Sequence, residues 1–136
     1  MEVIIRARGI GKGTGTGPLL VTDAPISFLG GVDPMTGTVT DPGHPLQGQT
    51  IAGRVLVFPH GKGSTVGSYV LYGLARNGVA PAAIINAEAE PIIATGALIA
   101  GIPLVDRPEV PLTALPPGAM ATVDADAGEI RVGDEG

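Results

Sequence analysis

Apolar and polar positions fall along this chain in short blocks whose order predicts a mixed α/β fold. Residues 2–7 alternate well enough for a first strand, and a glycine-threonine loop over 9–17 leads into a second, Pro18-Leu19-Leu20-Val21-Thr22. Residues 36–40 predict a short strand, and Asp41-Pro42-Gly43-His44-Pro45 a turn. Residues 51–58 are continuously apolar apart from Gly53 and Arg54, the pattern of a strand covered on both faces. Val66, Tyr69, Val70 and Leu74 then follow i, i+3, i+4 spacing, which predicts a helix over 65–77 with these as its buried face and Asn77-Gly78 as its stop. Ala82-Ala83-Ile84-Ile85 gives a parallel strand, Pro91 opens a helix over 91–100, and Ile102-Pro103-Leu104-Val105 gives a further strand. This β-α-β-α-β series implies right-handed crossovers. Residues 120–124 and 129–132 flank Ala125-Asp126-Ala127-Gly128, a hairpin signal, and Asp134-Glu135-Gly136 should fray. No repeat or linker interrupts the series, so the expectation is one α/β domain over 1–136 with three layers, β/β/α.

Composition adds a partner to that picture. Hydrophobic residues make up 44 % of the chain and charged ones 15 %, and the mean hydropathy of +0.36 is high for a chain without a long apolar segment. Such a chain hides a face against another molecule. Its apolar stretches are broken by Gly, Pro or polar residues well short of the ~20 needed to cross a bilayer. The N-terminus reads as a strand, not a signal peptide, so a cytoplasmic protein away from membranes is expected. A net charge of −5, no basic cluster, two Tyr and two Phe argue against nucleic acid. With no cysteine, the chain has no disulfide and no cysteine-held metal centre, so another polypeptide must carry any iron–sulfur cluster.

Candidate chemistry concentrates where the apolar run ending at Phe58 meets Pro59-His60-Gly61-Lys62-Gly63-Ser64-Thr65. Gly61 and Gly63 allow positive φ or close approach to a ligand, and Ser64 stands where strand gives way to helix. Backbone N–H groups at such a junction favour a carboxylate, a phosphate or a serine alkoxide. On local pattern, Ser64 reads equally as a helix cap worth about 1 kcal/mol. Lys62 suits a phosphate or simple solvation, but a P-loop needs lysine followed directly by Ser or Thr, and Lys62 and Lys12 both precede glycine. Ser64 is not in G-x-S-x-G, which leaves a Ser-His-Asp hydrolase a poor fit, and His44 and His60 read as turn residues. The irregular segment from Asp23 to Asp33, containing Ser27, Gly30 and Gly31, is either a surface connection or part of a site.

These residues bear a resemblance. Asp23-Ala24-Pro25-Ile26-Ser27-Phe28-Leu29-Gly30-Gly31-Val32-Asp33, Phe58-Pro59-His60-Gly61-Lys62-Gly63-Ser64, Asn86-Ala87-Glu88 and Gly101-Ile102-Pro103 stand in the order and spacing of the small subunit, or swivel domain, of the aconitase X group. That group includes dehydratases acting on phosphomevalonate and on hydroxyproline. In aconitase swivel domains the loop resembles G-x-G-S-S-R, its first serine being the base. Ser64 takes that position, while Thr65 and Val66 replace the second serine and the carboxylate-binding arginine. The resemblance implies a swivelling β/β/α domain that works with a large subunit. Ser64, as alkoxide, would remove a proton α to the carboxylate of a β-hydroxy acid, while an iron–sulfur cluster of the 4Fe-4S kind on the large subunit accepts the departing hydroxide. Lys62, Gly63, Thr65, Asp23, Ser27, Gly30 and Gly31 are the implied substrate-binding residues, and no metal ligand is expected in this chain. Separate archaeal small subunits point to 5-phosphomevalonate, dehydrated to an anhydro phosphate in an archaeal-type mevalonate route, with hydroxyproline as the alternative. A mobile phosphohistidine domain shares the order of elements, but Ser68 and Tyr69 occupy the place of its histidine. A non-catalytic partner subunit is the third reading.

Overall fold

The computed structural model describes residues 2–133. Its strands are β1 (Val3–Arg6), β2 (Arg8–Gly9), β3 (Thr14–Val21), β4 (Val55–Phe58), β5 (Ala83–Asn86), β6 (Leu104–Asp106), β7 (Met120–Asp124) and β8 (Glu129–Val132). Its helices are α1 (Phe28–Gly31), α2 (Gly67–Arg76) and α3 (Pro91–Ala100). α1 is a single turn in which Leu29 and Gly30 leave helical φ/ψ, in keeping with the many glycines and prolines around it.

Every side chain of β4 and β5 is buried, because both faces of their sheet are covered. Val55, Val57, Ala83, Ile85 and Val105 pack with Ile5, Val123 and Ile130 of the antiparallel strands. Leu56, Phe58, Ile84 and Leu104 pack instead with Leu71 and Leu74 of α2 and Ile93 and Ala97 of α3. Period-two alternation along each central strand thus builds two cores and the expected three layers. The strand order is β1-β8-β7-β3-β4-β5-β6-β2. β3 belongs to both sheets: Thr14–Pro18 pair antiparallel with β7, and Leu19–Val21 pair parallel with β4. β4, β5 and β6 are parallel neighbours joined by the two helices.

The closing hairpin forms at the expected residues, with Ala121↔Val132 to Asp124↔Glu129 in register. α3 opens with Pro91 at its first position, and the Glu90 side chain accepts from Ile92 N and Ile93 N at 2.9 Å each. Asn77-Gly78 stops α2 in a Schellman arrangement, with Gly78 N donating to Ala75 O at 3.2 Å and Val79 N to Leu74 O at 3.0 Å. Among the described residues no helix is long and apolar enough to cross a membrane.

Four expectations change. The loop over 9–17 is mostly strand, because β3 already begins at Thr14. Its glycines mark a crossing of backbones: a Cβ on Gly15 would fall 2.0 Å from Ala82 O, and one on Gly17 2.3 Å from Gly53 O. Residues 36–40 make only the isolated bridges Val32↔Val39 and Thr38↔Thr50. The central strand is confined to Val55–Phe58, with residues 52–54 forming a turn. α2 starts at Gly67, and its buried face is Gly67, Ser68, Leu71 and Leu74, while Val66 and Tyr69 are 48 % and 67 % exposed. The cause is α3, since Gly96 admits Leu71 and the Ser68 backbone to positions 2.6 and 3.0 Å from where its Cβ would be. Small residues set that face, and a hydrophobic pattern does not count them. The tail at Asp134-Glu135-Gly136, expected to fray, lies outside the described residues.

Candidate active site

The parallel strands β3 to β6 all end at one edge of the sheet, the edge at which open α/β sheets place their ligand crevices. Residues 22–33 follow β3 and residues 59–66 follow β4, so topology alone brings the two suspected segments together. Ile26 bridges Gly61 in parallel, with Lys62 N donating to Ile26 O at 3.1 Å and Ile26 N to His60 O at 3.4 Å. Beneath them the Phe28 and Phe58 rings pack with centroids 5.9 Å apart. Gly63 has φ +86°, and a Cβ there would fall 2.6 Å from Ser27 Oγ. Only glycine satisfies both conditions.

The paired segments enclose a cleft of about 390 Å³ lined by Ser27, Leu29, Gly30, Gly31, Asp41, Lys62 and Gly63. Five of the residues singled out in the sequence therefore share one surface. Ser27 Oγ donates to Leu29 O at 3.1 Å. Lys62 is exposed and, among the described residues, has no carboxylate within ion-pair distance. Thr65 lines a second cleft of about 280 Å³ with Ser68, Tyr69, Pro91, Ile92 and Thr95. Ser64 lies on the chain between the two and lines neither. Asp23 is exposed and stands outside both clefts.

Ser64 leads α2 through a tight turn, with Gly67 N donating to Ser64 O at 2.9 Å and Ser68 N to Thr65 O at 3.2 Å. Its exposed hydroxyl accepts from Val66 N at 3.1 Å. The bond is local, like a cap, yet the helix cap itself falls on Val66 and has no side-chain bond. A fixed N–H donor aimed at a hydroxyl oxygen also stabilises that oxygen as an anion. Ser68, where a phosphohistidine domain needs its imidazole, is buried and donates to Thr65 O at 2.8 Å.

Both histidines are held in turns. His44 Nδ1 accepts from Leu46 N at 3.0 Å, which leaves Nε2–H to donate to Pro25 O at 3.1 Å, tying residues 41–47 to the first segment. His60 Nδ1 lies 2.8 Å from Gly61 O. Asp41 is the cleft residue that sequence reasoning missed, since Asp-Pro-Gly announces a turn but not what the carboxylate overlooks. No cysteine is present, and among the described residues no three His, Asp or Glu gather as a metal site, so the donor set does not fit an iron–sulfur cluster.

One buried charge supports the edge from behind. Asp106 accepts from Arg8 Nε and Nη2 and from Ala89 N, each at 2.8 Å. Burial pushes its pKa up, but the Arg8 and Ala89 hydrogen bonds together with the Arg8 and Arg107 charges outweigh burial and hold the carboxyl below the usual carboxylate value.

Comparison with known proteins finds relatives over nearly the whole chain. A family model described as the aconitase X swivel domain matches residues 4–132. A phosphomevalonate dehydratase small subunit from Methanothermobacter thermautotrophicus is 59 % identical over 132 residues, covering 96 % of this chain and 99 % of the relative. One of the same description from Pyrococcus furiosus is 52 % identical over 128 residues, covering 94 % of each. The crystal structure of Thermococcus kodakaraensis aconitase X in its holo-form superposes with a TM-score of 0.92 at 52 % identity, covering 97 % of this chain and 99 % of that one.

Proposed function

This chain belongs to the aconitase X swivel-domain family, and on that premise we propose that it is the small subunit of a two-subunit hydro-lyase. The reaction is dehydration of (R)-5-phosphomevalonate to trans-anhydromevalonate 5-phosphate in an archaeal-type mevalonate route. In this reading the chain works as one swivel domain in the cytoplasm, against a large subunit. Because this chain's residues do not fit an iron–sulfur cluster, any such cluster is assigned to the large subunit.

Ser64 removes the proton α to the substrate carboxylate. A free serine hydroxyl is a very weak acid, so the reading depends on how the loop treats the alkoxide. The observation that carries it is the Val66 N–H, 3.1 Å from Ser64 Oγ at the start of α2, immediately after the cleft that Lys62 lines. The donor favours the anion before reaction, and Lys62 adds positive charge nearby. Lys62 also offers charge for the phosphate. Ser27, Gly30, Gly31 and Gly63 line the same cleft as Lys62, whereas Thr65 lines the second cleft and Asp23 lies outside both. Val66 cannot replace the arginine that binds a carboxylate in aconitases, so that contact is assigned to the large subunit.

The test is to reconstitute the chain with its large subunit and assay 5-phosphomevalonate and hydroxyproline separately. Turnover of the first is expected, with kcat falling about 10³-fold in Ser64→Ala and substrate binding retained. Turnover of hydroxyproline alone would move the assignment to the other substrate of the family. An unchanged kcat in Ser64→Ala would remove the serine from the chemistry.

A further inference from the structure

The connection from β5 to α3, residues 86–90, touches the stem of the 59–64 loop repeatedly, although none of its residues has a part in the proposed chemistry. Asn86 ends β5 in register with Phe58 of β4 and Asp106 of β6, and it is fully buried. Its Nδ2 donates to Phe58 O at 2.9 Å. Its Oδ1 has no hydrogen-bond partner among the described residues. Ala87 N and Glu88 N both donate to Pro59 O, at 3.0 and 3.2 Å.

These bonds act on successive torsions. The direction of the Phe58 carbonyl is set by ψ of Phe58, already restricted because a proline follows. The pyrrolidine ring fixes φ of Pro59. The direction of the Pro59 carbonyl is set by ψ of Pro59. The Asn86 amide, the proline ring and the Ala87 and Glu88 N–H groups therefore define three consecutive rotations at the point where the loop leaves the sheet. The connection is itself anchored, by Ala89 N on Asp106 Oδ2 at 2.8 Å and by Arg107 N on Ala87 O at 3.0 Å. Arg107 has φ +50°, the single positive-φ non-glycine among the described residues, and such a conformation persists only where its surroundings hold it.

The amide leaves its own Oδ1 orphaned while supplying the donor for the Phe58 carbonyl, so what it contributes is the direction of that carbonyl and not a fully satisfied core. We propose that Asn86 is a positioning residue for the active loop: through the Phe58 carbonyl it fixes the exit of the chain from β4, and with it the placement of Lys62 and Ser64. The inference rests on the proposed role of Ser64, and its test separates the two.

In the reconstituted two-subunit enzyme, Asn86→Leu is expected to stay folded with a modestly lower melting temperature, because the Phe58 carbonyl loses its donor, to keep its KM, and to lose roughly a hundredfold in kcat per folded enzyme, the scale of a 1 Å misplacement. Asn86→Asp keeps the shape but turns the donor into a carboxylate facing a carbonyl. Burial raises the pKa of such a group, and its protonated form donates again, so the kcat of this variant relative to wild type should rise as pH is lowered. Full kcat in Asn86→Leu, a kcat loss matched by a loss of folded protein, or a pH-independent ratio for Asn86→Asp would each overturn the inference. Ser64→Ala assayed alongside distinguishes the failures: an inactive Ser64→Ala beside a fully active Asn86→Leu overturns only the positioning role, and an active Ser64→Ala overturns the premise.

Discussion

The chain contains the run Gly-Lys-Gly followed by a hydroxyl twice, at Gly11-Lys12-Gly13-Thr14 and at Gly61-Lys62-Gly63-Ser64. The backbone bends alike in both, with φ +93° at Gly13 and +86° at Gly63. Their surroundings differ. Thr14 opens β3 and pairs with Asp124, Gly13 N is held by Asp126 Oδ1 at 3.2 Å, and Gly13 O accepts from Ala125 N at 2.9 Å. That copy is absorbed into the join between the two sheets. Gly63 and Lys62 instead line a cleft at the carboxyl edge of the parallel strands, and Ser64 leads into a helix start. Four residues of sequence therefore specify a bend, and topology decides whether the bend becomes strand or site.

Substitutions in the two copies and behind them sharpen that contrast. The largest effect on stability is expected one residue past the first copy, for Gly15→Ala, because a Cβ 2.0 Å from Ala82 O cannot be accommodated unless β3 moves. A loss of about 3 kcal/mol in urea unfolding is expected. A loss below 0.5 kcal/mol, the scale of a neutral surface change, would mean that the sheets do not cross so closely there. Gly13→Ala and Gly63→Ala each force positive φ on a side chain and should cost about 1–2 kcal/mol. Gly63→Ala should in addition displace Ser27 and raise KM in the assembled enzyme, whereas Gly13→Ala, with Pro103 Cγ its nearest neighbour at 3.8 Å, should leave KM unchanged. Equal KM values would dissolve the difference between the copies.

The smallest expected effect is in pH dependence. Asp106 is held below its ordinary value of 3.8, so its ionised form stabilises the fold above that pH, and the contribution is lost as pH falls through the lowered value. Thermal melts from pH 7 down to about pH 3 should show wild type losing more stability than Asp106→Asn. Parallel acid limbs would show that the Arg8–Asp106 pair carries none of it.

Much of the frame was legible because single residues announce it. Pro91 opens α3, Asn77-Gly78 closes α2, Ala125-Asp126-Ala127-Gly128 turns the last hairpin, and the unbroken Val55-Leu56-Val57-Phe58 marks a strand buried on both faces. The buried face of α2 was not legible, since Ser68 wins that place by fitting against Gly96, not by being apolar. The glycines of β3 looked like a loop because close approach of two backbones and freedom to turn use the same residue. Residues 23–33 and 59–64 were each suspect alone, but their pairing through Ile26 and Gly61 is a long-range contact that no local pattern contains. The contacts of Asp41 and Asn86 were hidden for the same reason, although Asn86 stands in a motif of the resemblance: their partners, Gly31 and Phe58, lie 10 and 28 residues away in the chain.

The claim at the centre of the account is that the second copy, and not the first, takes a proton from the substrate. The most direct measurement is exchange of the substrate α-hydrogen with deuterated solvent in the reconstituted enzyme, followed by mass spectrometry for wild type, Ser64→Ala and Thr14→Ala. The account predicts α-deuterium incorporation in wild type and Thr14→Ala, and none in Ser64→Ala even where the substrate remains bound. Incorporation by Ser64→Ala at the wild-type rate would contradict it.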